Sequence, residues 1–330
     1  MQITILTETE LRQCVQLDQA ALDAVADAFT RLANGQAMMP PIMRVEVPEN
    51  NGEVDIKSAY LQGLDSFAVK MSSGFFNNSK LGLPSLGGLM ILLSAKIGFP
   101  EALLLDNGYL TDVRTGAAGA VAAQHLARPN IDTVGVIGVG AQARYQVRAL
   151  ALVRRFSRLL VYSQTPERVE QYAADMRREL GVTVEPQAGA EAVVRGSDLL
   201  ITTTPAKSPL VQADWLHPGL HITAMGSDAE GKQELHADVL DRADVVVCDR
   251  KSQAFRLGEL HHAREAGLLA EDDPKVIELG DITAGRRPGR QNDQAITIAD
   301  LTGTGAQDTA IALLAFRQAQ AAGFGVQIEA

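Results

Sequence analysis

The feature that most constrains this chain is a β-branched run that breaks into glycine, Thr133-Val-Gly-Val-Ile-Gly138-Val-Gly140-Ala-Gln-Ala143, followed by an apolar stretch carrying Val147, Leu150 and Ala151. Val134, Val136 and Ile137 read as a buried parallel strand, and the spacing beyond Ala143 reads as a helix. Strand, tight glycine turn and helix N-terminus in that order form a cradle for a dinucleotide. Gly138 makes the turn, Gly140 lets a pyrophosphate approach bare backbone, and Ala143 stands where a third small residue lets helix pack on strand. The unpaired helix N–H groups and the positive end of the dipole then hold the phosphates. A Gly-x-Gly-x-x-Ala turn by itself is also common as an ordinary structural turn; the strand-turn-helix setting is what points to a dinucleotide.

A chain of 330 residues is too long for one typical core and fits two domains. Its longest apolar runs, such as 88–93 and 102–105, are far shorter than the roughly 20 residues a membrane helix needs. Thirty basic against forty acidic residues leave a net charge of −10, which opposes non-specific binding to nucleic acid. Neither a membrane nor a nucleic acid is therefore expected as a partner. The opening MQITILTETE lacks the basic and apolar regions of a secretion signal, so a cytoplasmic location is expected. Cys14 and Cys248 are too few to argue for disulfides or a zinc site, and no metal is expected.

The chain opens with a strand and then an amphipathic helix over 17–32, where Leu17, Ala20, Leu22, Val25, Ala28 and Phe29 follow helical spacing. After Pro40-Pro41 the pattern alternates like strands with one buried face over 44–47, 54–61 and 67–71, and 88–93 with 99–105 form a hairpin about the turn 94–98. This half reads as α+β with an antiparallel sheet. Residues 111–127 form an Ala/Gly-rich helix whose small side chains imply close packing on a neighbour. Strands at 134–138, 159–162, 182–185, 199–203, 221–225 and 245–248, most of them separated by helices, then imply a parallel sheet covered on both faces. A final strand at 296–298 meets Thr302-Gly303-Thr304-Gly305, and a helix over 306–320 follows. In such sheets ligands sit at the carboxyl ends of the strands.

The second strand of a dinucleotide domain usually ends in an acid that accepts from the ribose hydroxyls. Here it ends Tyr162-Ser163-Gln164-Thr165-Pro166, and Ser163, Gln164, Thr165 and Arg168 leave NAD and NADP both open. Ser163 or Thr165 also suits the N-cap of the next helix. Strand 221–225 runs into Gly226-Ser-Asp228-Ala-Glu-Gly231-Lys232, where Asp228 can act as acid or base, or merely close an Asx-turn; Lys232 reads as an ion-pair or helix-start residue. Arg44, Lys57, Lys70 and Arg114 are cations in apolar surroundings, and each needs an anion, either one of the chain's own carboxylates or that of a small anionic substrate. Arg suits a carboxylate because its planar fork binds both oxygens. His261-His262, adjacent on a helix, reads as a solvated surface pair that cannot face one ligand. Met38-Met39 and Trp215 read as core or edge packing, and 106–108 as a turn without chemistry.

These residues resemble the ornithine cyclodeaminase and mu-crystallin family over nearly the whole chain. The resemblance is carried by Phe67-Ala-Val-Lys70, Leu110-Thr-Asp-Val-Arg114-Thr-Gly-Ala-Ala, Gly138-Val-Gly140-Ala-Gln142, Thr202-Thr-Thr-Pro205 and Gly226-Ser-Asp228-Ala-Glu-Gly231-Lys232-Gln-Glu-Leu235. Within the family, Val54-Asp-Ile-Lys57-Ser-Ala-Tyr60, Gly74-Phe-Phe-Asn-Asn78, Leu83-Pro-Ser-Leu86 and Leu103-Leu-Leu-Asp-Asn-Gly108 look most like the ectoine and hydroxyectoine utilisation branch, itself similar to iminosuccinate reductases.

The resemblance implies an α/β fold: a Rossmann-type NAD(P) domain over 113–305, and an α+β substrate and dimerisation domain built from 1–112 with 306–330, whose mixed sheet is completed by the C-terminal segment. It implies a homodimer, Arg44, Lys70 and Arg114 on the substrate, and Asp228 in catalysis; the buried-cation reading adds Lys57 to the substrate set and Lys70 to catalysis. It implies a cofactor set of Thr115, Gly138, Gly140, Ala141, Gln142, Ser163, Gln164, Thr165, Arg168, Thr203, Thr204, Met225, Gly226, Thr302 and Gly303. Two departures carry weight. The ribose-binding acid of the cyclodeaminases is Ser163 here, and Lys57 replaces an apolar residue beside their substrate acid. The expected activity is NAD(P)H-dependent reduction of a small α-imino acid, with cyclodeamination and a mu-crystallin-like binding protein as the alternatives.

Overall fold

The computed structural model describes residues 2–329 of the chain, which divides into two compact units: residues 1–114 with 304–330, and residues 115–303. The first unit is a mixed sheet. Its strands in chain order are β1 (Gln2–Thr7), β2 (Ala37–Met38), β3 (Met43–Val47), β4 (Gly52–Leu61), β5 (Ser66–Phe75), β6 (Leu86–Ser94) and β7 (Pro100–Leu105), and a C-terminal strand Val326–Glu329 borders β1. The antiparallel reading of the strand pattern is corrected at one place, where β1 lies parallel to β7, while the other pairs are antiparallel; the sheet is therefore mixed and bordered by the C-terminal strand, as the resemblance implied. Two helices and the strands β2 to β6 lie between them in the chain, so no hairpin turn dictates an antiparallel direction. A helix Glu8–Cys14, closed by a capping box from Thr7 and Glu10, and the C-terminal strand are further elements that the periodicity did not reveal.

Register sorts the two faces of this sheet. Lys57, Lys70, Met90 and Leu104 lie opposite one another across β4 to β7, and with Ala59, Ala68, Leu92 and Ala102 they form its buried face. The helices Gln19–Ala33 and Gly305–Ala322 pack together, and the second covers β4 and β5. Thr309 of that second helix donates to the carbonyl of Ala59 (2.7 Å) and accepts from the N–H of Ala68 (3.0 Å), so it ties helix to both strands. The opposite face carries Ile56, Met71 and Leu89 in one row and Val69, Ile91 and Leu103 in the next, none of them fully buried, with Met43 and Val45 exposed beside them. Met38, read as packing from the sequence, is 75% exposed.

The second unit is an eight-stranded all-parallel sheet in the order β10-β9-β8-β11-β12-β15-β13-β14. These strands are β8 (Thr133–Ile137), β9 (Arg158–Tyr162), β10 (Thr183–Pro186), β11 (Leu199–Thr202), β12 (His221–Ala224), β13 (Val245–Cys248), β14 (Val276–Glu278) and β15 (Thr297–Asp300). Alternate residues feed two cores: Val134, Val136, Leu159 and Val161 on one side, Ile137, Leu160, Leu200 and Ile222 on the other. Double coverage explains why the strands read as apolar runs instead of alternating. Gly119, in the helix Tyr109–Leu126, shows why small residues were used there. A Cβ at that position would stand 1.9 Å from Oε1 of Gln146. Among the described residues no helix is long and apolar enough to cross a membrane.

Candidate functional site

Parallel register brings the strand ends Ile137, Tyr162, Thr202, Ala224, Cys248 and Asp300 to one edge of the second sheet. There Gly138 has φ +94°, and a Cβ would meet Thr204 Cγ2 at 2.8 Å and the Thr203 carbonyl oxygen at 2.9 Å, so only glycine serves. Gly140 caps the helix Ala141–Val153 without a side-chain bond, and a Cβ added there meets nothing within 4 Å. The emptiness beside it belongs to a cavity of about 380 Å³ lined by residues 137–140, 162–165, 168, 203–206 and 210. Thr203 Oγ1, on that lining, is buried and finds no hydrogen-bond partner among the described residues. Bare helix N–H groups, an open glycine and an orphaned hydroxyl fit a pyrophosphate and its sugars, so the residues present suit a dinucleotide. A branched side chain would fill this space without straining the fold. Gly140→Val is expected to weaken NAD(P)H binding at least a hundredfold in a fluorescence titration while the circular dichroism spectrum is unchanged.

Farther along the same edge, Met225 and Gly226 follow β12 and Thr302 and Gly303 follow β15. Glu234, fully buried, accepts from Thr202 Oγ1 (2.6 Å) and from the N–H groups of Thr204 and Gly226 (2.8 Å for the latter), and so ties the ends of β11 and β12 together. Burial pushes the Glu234 carboxyl up and these hydrogen bonds oppose it. The N–H groups of Glu234 and Leu235 in turn donate to buried Glu259. Asp249 does the same for the last loop, accepting from the N–H groups of Thr302 (2.9 Å) and Gly303 (2.6 Å). Asp228 stands on the loop that Glu234 anchors. It does not stand alone: Lys232 Nζ donates to its Oδ1 at 2.6 Å, and the side chain is 43% exposed.

In the first unit, Lys57 on β4 and Lys70 on β5 are cross-strand neighbours on the buried face, 7% and 1% exposed. Arg114, 5% exposed, joins them through a shared anion, Asp308 of the helix Gly305–Ala322. Asp308 holds Lys70 Nζ at 2.9 Å and Arg114 Nε at 2.9 Å and is itself wholly buried. Burial drives Lys70 down to about 7, with help from Arg114 and Lys57, while Asp308 pulls the other way. Burial by itself would raise Asp308, and the three cations overcome it and hold the carboxyl below its ordinary value. Gln307 accepts from Arg114 (3.5 Å) and from the N–H of Thr304 (2.7 Å), which leaves its buried Nε2 without a partner.

Three cations around one carboxylate leave this buried cluster with an excess of positive charge, one member of which titrates near neutrality. With Lys70 deprotonated above about pH 7 the site loses a charge. We therefore expect kcat/KM, which reports the free enzyme, to fall as pH rises past neutrality, and Lys70→Arg to move that limb to higher pH.

Arg44 is placed differently from the other cations. Its fork is given to Asp55 across the β3–β4 pair, at 2.7 and 2.9 Å. The cap reading is corrected in part: Thr165 is the N-cap of the helix Pro166–Leu180 but its side chain makes no capping bond. Thr115 contributes its carbonyl to Gln146 (2.8 Å), and Ala141 and Gln142 open the helix behind the glycine turn. The histidine pair is also corrected, because His261, His262 and Glu265 bring ligand atoms within 4.8 Å of one another, with His262 Nε2 already 2.8 Å from the carbonyl of Lys232. Asp308, Gln307, Glu234 and Asp249 escaped the reading of the sequence. For the first two a signal existed: Gln307-Asp308-Thr309 is a polar triplet that immediately precedes the apolar run 310–316 of its helix.

A sequence profile of the ornithine cyclodeaminase/mu-crystallin family matches residues 1–323. An uncharacterized cyclodeaminase of Sinorhizobium fredii is 51% identical over 317 residues, 96% of either chain. Among solved structures, Δ1-pyrroline-2-carboxylate reductase of Thermococcus litoralis in complex with NADH and L-proline superimposes with a TM-score of 0.93 at 31% identity, covering 98% of this chain and 100% of that one. An archaeal alanine dehydrogenase dimer with bound NAD gives 0.92 at 34% identity, covering 100% and 99%.

Proposed function

The chain belongs to the ornithine cyclodeaminase/mu-crystallin family, and within it we propose an NAD(P)H-dependent reductase of a small α-imino acid. The observation that carries this reading is the buried cluster of Lys57, Lys70 and Arg114 around Asp308. A substrate carboxylate is the anion that such a cluster recruits, and Arg114 supplies a planar fork for it. The chemistry that a reduced nicotinamide would supply, if held by the cavity of the second unit, is a hydride. The imine nitrogen must be protonated for its carbon to accept that hydride. Lys70, poised near 7, and Asp228 are the groups that hold or deliver this proton, after which the C=N bond has become CH–NH. The solved relatives with NADH and proline, and with NAD, support both the cofactor and a small amino-acid product.

A second copy of the chain is the partner favoured by the apolar outer face of the first sheet, and the dimeric archaeal relative agrees with it. The motifs shared with the ectoine-utilisation branch favour amino-acid catabolism in the cytoplasm, where reduced dinucleotides are held. One observation favours a second reading, the cyclodeaminase name of the 51% identical relative. Against it stands Lys57, a buried cation that would repel the distal ammonium of ornithine.

The test is to follow NADH and NADPH oxidation with cyclic imines and with keto or dicarboxylic acids plus ammonia. Stoichiometric cofactor oxidation on at least one imine is expected. Proline and ammonia formed from ornithine with NAD in catalytic amounts would overturn the reductase reading.

A further inference from the structure

We propose that the far end of the dinucleotide cavity in the 115–303 unit is built for a 2′-phosphate, so that this chain binds NADPH in preference to NADH. The inference rests on the reading of that cavity as a dinucleotide site and is independent of the imine chemistry.

The lining of the cavity contains no carboxylate at all. At the end of β9, where an acid would accept from both ribose hydroxyls and repel a phosphate, the chain presents Ser163, Gln164 and Thr165. The one cation on the lining is Arg168, in the first turn of the helix Pro166–Leu180. Most arginines of this part of the unit are already engaged. Arg144, Arg148, Arg158 and Arg178 are each committed to Asp175, Glu179 or Glu185, and Arg177 to the carbonyl of Val184. Among the described residues Arg168 has no such anion, although its exposed neighbour Glu167 lies next in sequence.

Two further features point the same way. The N-cap Thr165 makes no side-chain bond to the first turn; Pro166 has no N–H and that of Arg168 donates to the Thr165 carbonyl, so the Glu167 N–H and the positive dipole end face an incoming anion. The Ser163 hydroxyl, 3.4 Å from the Thr165 N–H, stands at the strand end where it can donate to a phosphate oxygen. A dianionic 2′-phosphate thus meets a guanidinium, hydroxyl donors and a helix start, with no opposing acid on the lining. A ribose diol there finds no acceptor of comparable strength.

The experiment titrates the purified protein with NADPH and with NADH by fluorescence, and separately with 2′,5′-ADP and 5′-AMP, which carry only the adenosine end. We expect Kd for NADPH to be at least tenfold lower than for NADH, and 2′,5′-ADP to outbind 5′-AMP by a similar factor. Arg168→Ala should weaken NADPH at least tenfold more than it weakens NADH, while Ser163→Asp should invert the preference. Equal or tighter binding of NADH by the parent protein, or an Arg168→Ala change that weakens both dinucleotides alike, overturns the proposal. Binding of neither dinucleotide overturns the cofactor reading itself, and a protein that binds NADPH but turns over no imine removes only the reaction.

Discussion

Asp228→Asn is expected to lower kcat by roughly 10²–10⁴-fold, the span of a lost general acid or base, with NAD(P)H affinity unchanged. The substitution keeps the size of the side chain and removes both its charge and its capacity to carry a proton. Its partner Lys232 lies four residues on, and the pair is exposed enough that losing it disturbs the fold little. The loop itself is held from elsewhere, by Glu234 on the N–H of Gly226. Kinetic loss can therefore be read as lost chemistry. Lys232→Met serves as the comparison: if it alone reproduced the loss, Lys232 rather than Asp228 would be the group that matters. A fully active Asp228→Asn enzyme would take Asp228 out of the mechanism for reduction and cyclodeamination alike.

Asp308→Ala is the second large effect, and it falls on stability. The substitution leaves Lys70 and Arg114 buried beside each other with Lys57 close by and no carboxylate between them. Breaking a buried pair by removing one partner costs about 3–5 kcal/mol. Lys70 can escape part of this by shedding its proton, since its titration already lies near 7; Arg114 has no such escape. Urea denaturation at pH 7 should show the loss, and Lys70→Met combined with Asp308→Ala should recover part of it. An Asp308→Ala protein within 1 kcal/mol of the parent would mean that solvent or another acid neutralises the cluster.

The unevenness of what the sequence disclosed follows from the range over which each signal acts. The glycine turn, the parallel strands and the Asp228 loop were legible because their logic is local: a period, a turn and a strand end all lie within a dozen residues. The buried cations were legible as problems, since Lys70 and Arg114 stand in apolar surroundings. Their solution was not, because Asp308 is 238 residues from Lys70 along the chain. Arg44 illustrates the converse. It reads like the other cations, yet the β3–β4 register sets it opposite Asp55, a pairing that only strand alignment discloses. Parallel pairing of β1 with β7 was hidden for the same reason, and Glu234 was quoted in a motif without a role because nothing local shows that its carboxylate turns back onto two strand ends.

The distance between Lys70 and Asp308 also orders events during synthesis. A ribosome that has delivered β5 and the start of the helix Tyr109–Leu126 has produced two cations whose counter-charge is still untranslated. The 115–303 stretch is continuous and can complete its sheet while the nascent chain is still attached. The first sheet cannot close its buried face until the helix Gly305–Ala322 has emerged. A polypeptide stalled or cleaved before Asp308 would thus carry a finished 115–303 unit and an unfinished first sheet whose Lys70 and Arg114 lack their buried counter-charge, an aggregation-prone species for which chaperones and proteases would compete.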